Sequence, residues 1–170
     1  MPSESARATT TAEARFRIAA PNSQPRAIKV IALDTPSEQV IKRLAALRWN
    51  RASFLTASAF AGAPRTGEAF SMQGWLSDLA GRTKDLIDEV AAADLVVMVA
   101  SAGHDAQAAA LIGEACALRR IMTTGLVLGD GSASDRAVSK TLAGLRPHAM
   151  MLVVASGEDY VEDMLTSLRA

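Results

Sequence analysis

Several features are scarce in this 170-residue chain, and each scarcity excludes something. Cys116 is the only cysteine, so an intrachain disulfide and a multi-cysteine zinc site are both ruled out, which fits a reducing compartment. Charge of one sign is not in excess: eighteen basic residues face eighteen acidic ones. A chain with zero formal charge has no global field to draw in nucleic acid or an anionic membrane, and neither is expected as a partner. No run reaches the roughly 18 apolar residues of a membrane span, and the first residues lack the compact apolar segment of a secretion signal. The expected location is therefore the cytoplasm. The glycine patterns GxGxxG and GxxxxGK[ST] are absent, which removes two backbone cradles for nucleotide phosphates. Aromatic residues make up only 4% of the chain, so the two tryptophans, Trp49 and Trp75, stand out.

What is present is an alternation of short apolar runs and helical patterns. Residues 94–100 (DLVVMVA) form a continuous apolar run with β-branched valines, as expected for a strand covered on both faces. Residues 107–118 read as a helix rich in Ala, Leu and Ile, and the strand pattern resumes at 123–128 (TTGLVL). Strand, crossover helix and parallel strand imply a right-handed connection and a layered α/β domain. Further strands are expected at 28–33, 53–60 and 149–155. Helices are expected from Thr35 (N-cap, with Pro36 at N1 and Glu38 at N3) to about Trp49, over 74–92, around Val138 to Leu145 before Pro147, and after Ser156 as N-cap. The predicted architecture is one three-layer α/β/α doubly wound domain over residues 26–170. Its sheet is mainly parallel and five-stranded, and a disordered tail over 1–25 precedes it.

Ligands of such sheets sit beyond the carboxyl ends of the strands, in the loops that lead into helices. Here these are 34–38, 60–71, 101–107, 129–135 and 156–159. They carry the carboxylates Asp34, Glu38, Asp105, Asp130, Asp135, Glu158 and Asp159 against Arg65 and Arg136, so a polyphosphate would meet mostly like charge. Converging carboxylates could hold magnesium, but Glu38, Asp135, Glu158 and Asp159 fall in first helical turns, where acids complement the helix dipole. No metal site is predicted. The ligand-binding candidates are Asp34, Thr35, Ser101, Gly103, His104, Asp105 and Asp130. Of these, the 101–105 segment (SAGHD) follows the central strand and sets an imidazole beside a carboxylate and a hydroxyl. Residues so close in sequence do not usually line up as a proton relay, which is assembled from separate loops, so Ser101 or Asp105 reads first as a helix cap. His148 precedes the last strand and belongs to the opposite edge. Cys116, inside an apolar helix, reads as a small buried hydrophobe.

Taken in order from Ile28 to about Leu168, these segments resemble the nucleotide-binding domain of the FtsZ/tubulin family. IKVIALDTPSEQVIKRLAAL is similar to that family's first strand and helix, RASFLTASAF to its second strand, and the stretch from Leu86 to Gly129 to its acidic helix, its ADMVFITAGMGGGTGTG strand and loop, and the strand that follows. In this chain the first glycine loop is replaced by residues 34–37, and the GGGTGTG signature is reduced to Gly103-His104-Asp105 and their neighbours. The resemblance implies a shortened relative that keeps the scaffold with a degenerate GTP site; no cofactor is expected unless GTP binding outlives the lost glycine loops, and whether the chain is an enzyme is left open, with a non-catalytic role favoured. Such a protein would act through a homodimer or a protein partner. Trp49 and Trp75 are the candidate interface residues, since tryptophan covers much area at little rotamer cost. The alternative is a small-molecule or nucleotide module at the carboxyl edge. A third reading is a hydrolase-type enzyme using Ser101, His104 and Asp105.

Overall fold

In the computed structural model, residues 24–58, 76–129 and 131–170 are described. Trp75, Asp130, most of the expected tail and the whole of the 60–71 loop lie outside them. Among the described residues seven strands form one mixed sheet. In chain order they are β1 (Ile28–Ala32), β2 (Ala52–Thr56), β3 (Leu76–Asp78), β4 (Thr83–Lys84), β5 (Leu95–Ser101), β6 (Met122–Leu128) and β7 (Met151–Ala155). The five helices among the described residues are α1 (Thr35–Ala45), α2 (Leu86–Ala91), α3 (Ala108–Arg119), α4 (Asp135–Leu145) and α5 (Glu158–Ser167). The spatial order is β4-β3-β2-β1-β5-β6-β7, so the chain leaves β1 toward one edge and then crosses to build the other. β1 pairs in parallel with both β2 and β5, and β5, β6 and β7 continue in parallel.

The five expected strands are therefore present, but the expected five-stranded sheet is corrected to seven strands, because β3 and β4 add an antiparallel hairpin beyond β2. That hairpin and α2 replace the helix expected over 74–92. Leu79, Leu86 and Val90 share a helical spacing by coincidence, while the local polar groups impose a turn. The Asp78 carboxylate accepts the N–H groups of Ala80 and Arg82, Gly81 takes φ +81°, and Asp85 caps α2 by accepting from Ile87 and Asp88. The backbone just beyond Asp78 thus has its N–H groups committed outside any helix. β2 ends at Thr56, short of the expected Phe60.

The core divides between the two faces of the sheet. On one face Ile31, Leu33, Val96, Met98 and Val127 pack against Leu86 and Val90 of α2, Ile112 and Ala115 of α3 and Leu145 of α4. On the other, Ile28, Val30, Val97, Val99 and Leu126 pack against Ile41 and Leu44 of α1 and Val161 and Leu165 of α5. Residues Leu95 to Ala100 of β5 are all buried, as the unbroken apolar run requires of a strand with helices on both sides. Each fully buried Leu, Ile or Val contributes about 1.5–3 kcal/mol. Among the described residues no helix is long and apolar enough to cross a membrane.

Candidate functional site

The parallel strands β1, β5, β6 and β7 all run toward one edge, so the loops after them converge there. At the junction of β1 and β5, where the direction of winding changes, sits Asp34. It is only 4% exposed. Its Oδ1 accepts the Ser37 N–H at 2.8 Å and its Oδ2 accepts the Ser101 N–H at 2.7 Å. The Ser37 hydroxyl lies 3.3 Å from the Asp34 N–H, which completes a reciprocal cap on α1. The cap is therefore Asp34 with Ser37, one residue earlier than the expected Thr35 with Glu38. The shift leaves Glu38 free to bond elsewhere. Thr56 Oγ1 donates to it at 3.0 Å, Ser58 Oγ also donates to it, and Lys42 Nζ lies 2.6 Å away. Those partners, the lysine first, hold the Glu38 carboxyl below its ordinary range.

The 101–105 loop is held from below by a residue that sequence reasoning missed. Thr141 of α4, 1% exposed, accepts the Gly103 N–H at 2.9 Å through Oγ1 and stands within donating distance of the Ser101 and His104 carbonyls. Gly103 itself adopts φ +87°, a conformation that favours glycine, with the Ala137 methyl directly beneath. A buried threonine in an amphipathic helix reads in sequence as a polar-face residue, and only its position under the loop reveals its role. The expected helix caps also move. α3 begins after Gln107 with no side-chain cap, so neither Ser101 nor Asp105 serves there, and α5 begins after Gly157 rather than Ser156, again without a side-chain cap.

Beside this junction, toward β6 and β7, lies a cleft of about 620 Å³. Pro36 and Val40 of α1, Ala102, Leu128, Ala133 and Ala137 supply its apolar wall. Ser101, His104, Ser132, Ser156 and Glu158 bring polar groups to it, with Gly129 and Gly157 between them. Glu158 is already engaged by a two-pronged ion pair from Arg43 of α1, which lowers the carboxyl's pKa. Of the sequence candidates the cleft unites Ser101 and His104. Asp34 lies buried behind it, Gly103 turns the loop, and Thr35 and Asp105 are exposed without lining it. No hydrogen bond joins the side chains of Ser101, His104 and Asp105. Among the described residues no group of three His, Cys, Asp or Glu could hold a metal ion.

A second cavity of about 650 Å³ lies at the opposite, amino edge, between α3 and the turn before β7; Cys116, Met122, His148 and Met150 line it. His148 thus sits far from the 101–105 loop, as expected. Trp49 is half-buried: its indole N–H donates to the Leu44 carbonyl at 2.8 Å, and its ring tilts against Phe54 at 6.1 Å. No known protein family matches the chain, and no curated protein matches it.

Proposed function

We propose that this chain is a non-catalytic binding module that takes an uncharged, partly apolar small molecule in the cleft beyond β1, β5, β6 and β7. The observation that carries this reading is the Asp34 carboxylate. It already occupies, as an internal anion, the N–H groups of the α1 terminus and of Ser101 that a phosphate would use at the junction of β1 and β5. A second anion there would meet like charge at short range. The volume on the β6 and β7 side is of the size small ligands use, and its mixture of hydroxyls, one imidazole and apolar walls suits a neutral molecule with one polar face. On this reading the FtsZ/tubulin resemblance is a shared scaffold with its GTP site lost, and GTP and ATP are not ligands.

The test combines native mass spectrometry of the freshly purified full chain with isothermal titration of GTP and ATP. A retained neutral molecule that is absent from Ser156→Trp, together with no titration heat from either nucleotide, is the expected result. A retained nucleotide, or micromolar affinity for GTP or ATP, overturns it.

A second reading, action through association with itself or a protein partner, is favoured by one further observation. β7 is an edge strand whose outer residues are apolar and exposed.

A further inference from the structure

The two edges of the sheet are built differently. One ends in β4, which has two residues, Thr83 and Lys84, and follows a tight turn held by the Arg82–Asp78 ion pair. Short length and lysine are devices that keep an edge from pairing with another chain. The other edge is β7, with the sequence MLVVA, and it carries none of them: no charge, no proline and no bulge in its pairing with β6. Of the seven exposed large hydrophobics among the described residues, Met151 (56% exposed) and Val154 (50%) lie on β7, and Met150 (75%) directly precedes it. A strand edge that is apolar, regular and unpaired among the described residues is a template for one more strand.

The register shows which backbone groups are available. The Gly129 N–H donates to the Ala155 carbonyl, so residues 151, 153 and 155 direct their backbone groups toward β6. Because these groups alternate along a strand, those of Leu152 and Val154 face outward. We infer that β7 pairs antiparallel with β7 of a second copy about a two-fold axis through Val153, forming one continuous sheet across a homodimer. Leu152 of each copy then forms a hydrogen-bonded pair with Val154 of the other, and the two Val153 residues meet at the axis. A second copy is the fitting occupant on charge: an uncharged edge from a chain of zero net charge meets no repulsion from itself, whereas a charged strand would be set against Met151 and Val154. A two-fold contact also satisfies the β7 edges of both copies at once, leaving only the short β4 edges unpaired.

This inference rests on the association reading above and specifies its surface, so the experiment separates the two. Sedimentation equilibrium is measured on the full chain and on Val154→Lys, Val154→Pro and Trp49→Ala. Because the Val154 N–H faces away from β6, proline there removes an intermolecular donor and no bond of the sheet. The expected result is a dimer in which both Val154 variants weaken association by at least about tenfold while Trp49→Ala leaves it unchanged. Concentration-dependent hydrogen-exchange protection at the amides of Leu152 and Val154 is expected in the unmodified chain, and it decides the matter should either variant fail to fold. A chain that stays monomeric at high micromolar concentration overturns both the pairing and the self-association reading. A dimer indifferent to the Val154 variants, with unprotected Leu152 and Val154 amides, overturns the β7 pairing alone.

Discussion

Asp34 sits at the first βα turn with both carboxylate oxygens engaged, one by the helix that follows and one by the loop after β5. Losing it removes an N-cap, worth about 1 kcal/mol, and leaves a part-buried N–H on Ser101 without its partner, which costs about 1–3 kcal/mol. Asp34→Ala should therefore lower stability by about 2–4 kcal/mol in urea unfolding. Its exposed neighbour Thr35 makes no comparable bond, and Thr35→Ala should stay within about 0.5 kcal/mol of the parent. Equal effects at the two positions would mean that Asp34 does not join β1 to β5 in solution.

Between elements, polar side chains set the spacing of the carboxyl edge. Thr141 fastens the 101–105 loop to α4, and Glu38 fastens α1 to the end of β2 through Thr56 and Ser58. The Glu38 carboxyl is depressed by Lys42 and by the two hydroxyls, so its contribution is present above the ordinary glutamate pKa of about 4.3 and is lost as pH falls through the folded-state value. Titrating from neutrality into acid should therefore shrink the stability difference between the parent chain and Glu38→Gln. Thermal melts across that range give the difference directly, and one that stays constant as the solution is taken well below the ordinary glutamate pKa would remove this role from Glu38.

Helices on both faces leave β5 and the inner side of α3 shielded from water. Cys116 lies there, 1% exposed, and burial pushes its thiol pKa up to about 12. A thiol with so little thiolate and so little access reacts when the domain opens. Labelling of Cys116 by a thiol reagent should consequently be slow in the native protein and should accelerate with urea in step with global unfolding. Rapid labelling at full native signal would reveal local opening of α3 above the amino-edge cavity.

Much of this architecture follows from local pattern. The apolar run of β5, the small-residue face of α3, the carboxylates in first helical turns and the turn glycines each carry their own physical cause, and the five parallel strands and their helices can be read from them. Ser101 and His104 were legible as cleft residues because loops after parallel strands must meet at one edge. Three features resisted such reading, each because it depends on groups distant in sequence. The Asp34 carboxylate turns inward only because the Ser101 N–H, 67 residues away, arrives beside it. Thr141 becomes a support only where α4 lies beneath the 101–105 loop. The turn of the β3–β4 hairpin is set locally by Asp78 and Gly81, but the strands on either side of it become strands rather than a helix of similar apolar spacing because β2 offers an open edge on which to pair. Periodicity specifies which side of an element is buried, whereas the partner that buries it is a property of the assembled sheet.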